Sequence, residues 1–126
     1  MLVSCRAGDH SSSLPRVTTP DYDVVIVGHH QELTPEQIEK IHPQVTTAVS
    51  EKLSWLNRHD YKWQYWPMED GKEIKVTMIH TNTPQVRDGL WLKVPIMVDG
   101  GGTHFVEVTY DRKSGKVTKV KPNEAE

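Results

Sequence analysis

The chain is nearly without thiols. Cys5 is its only cysteine, so no internal disulfide can form and packing must hold the fold together. It also lacks an excess of either charge. Fifteen Lys and Arg stand against seventeen Asp and Glu, a formal net charge of −2, and the pI lies near 6.4. A dedicated nucleic-acid binder normally carries a basic excess, so no nucleic-acid partner is expected. No apolar run approaches the roughly 20 residues that span a bilayer, and no transmembrane segment is expected. Phenylalanine occurs once, but four Trp and four Tyr supply aromatic bulk. With 36% hydrophobic and 25% charged residues, the composition is that of a globular protein. The 126 residues leave room for one domain. Seven histidines draw the net charge positive as pH falls toward about 6.

Catalytic signatures are missing too. There is no Gly-x-Ser-x-Gly elbow, no phosphate-binding glycine loop and no paired-cysteine motif. Cys5 falls in a segment with no structured base to lower its pKa, so no catalytic residue and no cofactor are assigned. The histidines also fall short of a metal site. His29 and His30 are neighbours and point to opposite faces of an extended chain, while His80 and His104 have no third ligand at zinc-like spacing. Asp60, Glu69, Asp70 and Glu73 lack the alternation of a calcium loop and read as a solvated turn.

Residues 1–20 show neither hydrophobic period and are expected to form a flexible tail, dispensable for folding. Within them Leu2-Val3-Ser4-Cys5 matches the box at which bacterial lipoproteins are cleaved and lipidated. That box is either the stump of a trimmed signal, which implies a secreted or cell-envelope protein, or chance, which leaves a cytoplasmic one. Residues 21–126 are expected to form a single α+β domain. Residues 22–27 are a short, largely apolar run rich in β-branched side chains that ends at Gly28, as a buried strand would. Thr34 as N-cap, Pro35 at the first helical position and Gln37 as the return partner make a capping box, with Leu33 and Ile38 as its hydrophobic staple. Ile38, Ile41, Val45, Val49, Leu53 and Leu56 continue at intervals of three or four, so a helix is predicted over 35–57, kinked at Pro43.

After the helix the period becomes two. Tyr61, Trp63 and Tyr65 alternate with Lys62 and Gln64, and Ile74, Val76 and Met78 alternate with Lys75 and Thr77. Residues 83–89 read as a loop. Leu90, Leu92, Val94, Ile96 and Val98 give the longest alternation and predict a strand. Gly100-Gly101-Gly102 turns the chain, and Val106, Val108 and Tyr110 lead into a hairpin at 111–115, with a charged edge strand over 116–121. The expected architecture is one long kinked helix packed on a four- to five-stranded antiparallel sheet.

This order of elements resembles the cystatin family. Gly28 precedes the helix as a glycine does in the inhibitory trunk of cystatins. Thr34-Pro35-Glu36 followed by His42-Pro43-Gln44-Val45 is similar to the stefin helix, and Gln85-Val86-Arg87-Asp88-Gly89 resembles the family's Gln-Val-Val-Ala-Gly hairpin. The resemblance implies a non-catalytic protein-binding module, an inhibitor or regulator of a protease or another protein partner. Its contacts would be Gly28, Gln85, Val86, Arg87, Asp88 and Gly89, side by side at one end of the sheet. Arg87 and Asp88 replace an apolar pair, so weak or no inhibition of papain-like proteases and a more acidic or mixed-charge partner are expected. Two alternatives stand beside it. Residues 105–117 resemble the terminal hairpin of PepSY domains, which implies a cell-envelope regulatory or ligand-binding lipoprotein. A small enzyme or ligand-binding protein of the NTF2-like type would instead show a deep pocket lined by His80, His104 and an acid.

Overall fold

The computed structural model describes residues 14–28, 32–69, 71–97 and 102–123. The expectations for Cys5, the box around it, His29, His30, Asp70, Val98, Gly100 and Gly101 lie outside the described residues. Strands β1 (Arg16–Thr18) and β2 (Asp23–Ile26) precede helix α1 (Pro35–Lys52). A 3-10 turn (Arg58–Asp60) then leads into β3 (Tyr61–Pro67) and β4 (Glu73–His80). A single helical turn α2 (Pro84–Arg87) and two 3-10 turns (Leu90–Leu92 and Gly102–His104) connect to the hairpin of β5 (Phe105–Asp111) and β6 (Lys116–Pro122).

The six strands form one sheet in the order β1-β2-β3-β4-β5-β6. The class is α+β, but the sheet is mixed and wider than expected. β2 and β3 run parallel, with Val24 opposite Trp63 and Ile26 opposite Tyr65, while every other pair is antiparallel. The cause lies in the connection, because a long helix between two neighbouring strands returns the chain to the end from which it left.

The extra strand comes from the segment expected to be a tail. Val17 is only 7% exposed, and Arg16 and Thr18 flank it. Arg16 Nε and Nη2 donate to the two carboxylate oxygens of Asp23 at 2.8 and 2.6 Å, and Thr18 Oγ1 donates to the first at 3.0 Å. The folded unit therefore begins before Pro20. Three residues with one apolar member are too few to show a period.

The helix starts as expected. Gln37 N–H donates to Thr34 Oγ1 at 3.2 Å, Thr34 N–H donates to Gln37 Oε1 at 2.9 Å, and both Leu33 and Ile38 are buried. It stops at Lys52, five residues short of the predicted end. Leu53 caps it by donating its N–H to Val49 O at 2.7 Å, and Leu56 N–H then bonds to Leu53 O at 3.0 Å. Leu53 and Leu56 thus keep helical spacing while lying on a turn. The buried stripe is Ile38, His42, Val45 and Val49, and Ile41 is only half-buried. Among the described residues no helix is long and apolar enough to cross a membrane.

The inner core joins this stripe to Val24, Ile26, Trp63, Tyr65, Ile74, Val76, Met78, Val106 and Val108. From Trp63 onward these are the alternating positions read from β3, β4 and β5, so that part of the expectation is met. The hairpin is also met, with Gly115 at φ 69 and β6 as an edge strand whose lysines are exposed.

The strand predicted over 90–98 is not there. Leu90–Leu92 is a 3-10 turn, and 93–97 carry no strand. Residues 81–97 instead run as a strap across the outer face of the sheet, where Trp91 and Ile96 pack with Val25, Val27, Ile79 and Phe105. Pro95 has no N–H to give to a ladder, and Gly89 reverses the chain at φ 77. The alternation is also broken, because Trp91 and Ile96 are buried while Leu90 and Val94 are exposed.

Candidate functional site on the outer face

An extended strand sends successive side chains to opposite faces, so the sheet's outer surface is built from the residues between the core positions. On β3 these are Lys62, Gln64 and Trp66, on β4 Lys75, Thr77 and Ile79, and on β5 Phe105, Glu107 and Thr109. The strap covers the part nearest β2 and leaves the part nearest β6 open.

Gln64 holds the strap. Its Nε2 donates to Trp91 O at 2.6 Å and to Val94 O at 2.7 Å, while its Oε1 accepts from Ile96 N–H at 2.8 Å. One buried side chain thereby satisfies three backbone groups that a neighbouring strand would otherwise pair. Trp91 provides a second anchor, with the Arg16 guanidinium 5.5 Å and the Lys62 ammonium 5.8 Å from its ring centre. Both cations also reach Asp23, Lys62 Nζ at 3.2 Å. Burial alone would raise the Asp23 pKa. Hydrogen bonds from Arg16, Thr18 and Lys62 outweigh it and hold the carboxyl below its ordinary value.

Where the strap ends, a cleft of about 380 Å³ opens between Ile96 and Met97 on one side and the exposed strands on the other. Trp66 and Phe105 give it apolar walls, and Lys75, Thr77 and Glu107 give it a polar floor. The floor's charges are paired, with Glu107 3.8 Å from Lys75 and 3.2 Å from Lys119. Gly28 supports Trp66 directly. A Cβ at Gly28 would lie 2.2 Å from the indole nitrogen, and the residue's φ of +69° also favours glycine. Four large hydrophobic residues are exposed among the described ones, and three belong to the strap: Leu90 at 45%, Val94 at 42% and Met97 at 78%. The fourth, Trp55, stands beyond the end of α1.

Of the residues marked out from the sequence, Gln85, Val86 and Arg87 lie in α2, and Asp88 and Gly89 follow it. Arg87 and Asp88 are exposed, Arg87 Nη1 donates to Asn82 O at 2.7 Å, and Val86 packs against the outer cluster. Gly28 is not beside them. It touches Trp66 near the end of β3, whereas α2 follows His80, whose register partner Tyr61 starts β3. The expected juxtaposition at one end of the sheet is therefore replaced by positions at opposite ends, a direct result of the parallel β2–β3 pairing.

His80 and His104 do approach, with ring centres 5.0 Å apart and Tyr61 beside His80 at 5.1 Å. Neither lines the cleft, and His80 Nδ1 accepts a hydrogen bond from Asn82 N–H at 3.0 Å. Among the described residues no three His, Cys, Asp or Glu side chains gather as a metal site requires. Sequence reading missed Gln64, which looks like an ordinary solvent-facing position between Trp63 and Tyr65. No family model, curated protein or solved structure matches the chain.

Proposed function

We propose that the chain is a non-catalytic protein-binding module that receives its partner on the strap and the adjoining cleft. The observation that carries this reading is the concentration of exposed apolar side chains, Leu90, Val94 and Met97, on one eight-residue stretch beside an open cleft. Contiguous exposed apolar surface on a small domain commonly marks an interaction site, and interfaces draw their affinity from a few anchors seated in such clefts. The partner it fits presents an apolar side chain to the Trp66–Phe105 wall, with polar groups flanking it to meet Lys75 and Glu107.

In this reading the cystatin resemblance extends to a helix laid on a sheet and to protein binding, while the contact surface moves. A wedge needs Gly28 and residues 85–89 together, and here Gly28 serves as the bed for Trp66. The test uses a photoreactive residue placed at Met97, with Lys40 on the exposed side of α1 as control, in extract of the source cells. Discrete adducts at Met97, absent at Lys40 and reduced by a Leu90→Ser, Val94→Ser pair, are expected. Equal labelling at both positions overturns the reading. Tight inhibition of a papain-like protease that is lost on substituting Arg87 and Asp88 would also overturn it, in favour of the wedge.

A further inference from the structure

A second opening lies on the other face of the sheet, at the junction of α1 and β3. His42 is 1% exposed and sits among Tyr22, Trp63 and Tyr65, with ring centres 4.1, 4.5 and 5.8 Å away. Its Nδ1 lies 2.7 Å from the Tyr65 hydroxyl, and its Nε2 is buried with no hydrogen-bond partner among the described residues. The ring also lines a cleft of about 160 Å³, together with Asp21, Tyr22, Thr46, Arg58 and Trp63.

Proton accounting settles what His42 offers. Tyr65 is fully buried, and its hydroxyl has only His42 as a partner among the described residues. If Nδ1–H donated to the hydroxyl, both the phenol proton and the Nε2 lone pair would be stranded. If the hydroxyl donates to Nδ1, a single orphan remains, the Nε2–H. The second arrangement leaves fewer buried groups unpaired and makes the free ring nitrogen a donor. Burial, reinforced by the nearby Arg58 cation, keeps the ring neutral and so preserves that tautomer.

We propose that this cleft binds a small monocarboxylate with a flat apolar body, independently of the outer-face surface. One carboxylate oxygen takes the orphan Nε2–H. The other meets the Arg58 guanidinium, which lines the same cleft and forms no ion pair among the described residues. Tyr22 and Trp63, which line the same cleft, meet the apolar part. Asp21 on the rim repels a second negative charge, so a monoanion is preferred over a phosphate-like dianion.

The probe is benzoate, titrated at neutral pH into the full chain while the ring-proton resonances of His42 and the indole resonance of Trp63 are followed, with inorganic phosphate as the comparison. Saturable shifts of both resonances with benzoate and none with phosphate are expected. Arg58→Gln should weaken benzoate binding by about tenfold or more, because a charge-assisted bond is lost. Asp21→Asn should tighten it. Both residues are exposed, so these variants should keep the parent's thermal midpoint. Three results would overturn the proposal: no saturable shift in the parent at millimolar benzoate, unchanged affinity in Arg58→Gln, or binding that weakens in Asp21→Asn.

Discussion

The two faces of the sheet are covered in different ways. The inner face meets α1 through a repeating pattern, Ile38, His42, Val45 and Val49 against alternating strand residues, and regularity on both sides makes the layer. The outer face meets a strap with no repeat, held at a few points by Gln64 and by Trp91, whose ring lies beside two cations that Asp23 pairs. A periodic layer is encoded by many weakly informative residues. An irregular cover is encoded by a few buried polar ones, each of which must be fully satisfied.

The contrast predicts that the inner layer is the more costly to disturb. Ile38→Ala, at a fully buried position, should destabilise by about 2–5 kcal/mol through a cavity under the sheet. Glu39→Ala, on the exposed side of α1, should stay within about 0.5 kcal/mol. Equal denaturant midpoints for the two variants would break the assignment of faces.

Acid should separate the layers next. The His42 pKa is pushed down to about 4 by burial and by Arg58, from an unfolded value of 6.5. Between those values the unfolded chain binds the proton that the folded chain excludes, so stability falls as pH drops from 6.5 toward 4. The contribution is on the order of 3 kcal/mol. Asp23 works in a lower window, because its folded pKa is depressed and its contribution is lost only as pH falls below 3.8. Unfolding free energies measured against pH should show the first loss vanish in His42→Phe and the second in Asp23→Asn.

On the outer face, Gln64→Leu should cost about 1–3 kcal/mol. That is less than three orphaned backbone groups would imply, because the strap can lift and let water reach them. The signature is local: faster amide exchange over residues 91–96 with β4 and β5 unchanged. Smallest of all, Arg87→Val with Asp88→Ala should leave stability within about 0.5 kcal/mol, since both side chains are exposed.

What was legible in the sequence follows the same division. The capping box at Thr34, the inner-face alternation of β3, β4 and β5 and the hairpin at Gly115 are local or periodic, and each stands where it was read. The apolar helix stripe packs on the core, with Ile41 at its half-buried edge, and what the reading omits is the buried His42. A four-residue step from Ile38 lands on His42 and continues to Val45 and Val49, so the spacing was present and the polarity of histidine concealed it. β1, the parallel pairing and the strap depend on contacts between distant residues, such as Asp23 with Arg16 and Lys62, and leave no periodic trace. The outer-face cleft was illegible for the same reason, because its walls come from β3, the strap and β5.

The central claim is that one buried side chain, Gln64, supplies the strap's hydrogen-bonded anchor to the sheet, beside the packing of Trp91 and Ile96. Hydrogen exchange at the Ile96 amide tests it most directly, since that N–H donates to the Gln64 side chain at Oε1 and to no strand backbone. The account predicts slow exchange at Ile96 in the parent protein, comparable with amides of β4, and rapid exchange in Gln64→Leu while β4 remains slow. Exchange at Ile96 as fast as in an unstructured loop, already in the parent protein, would contradict it.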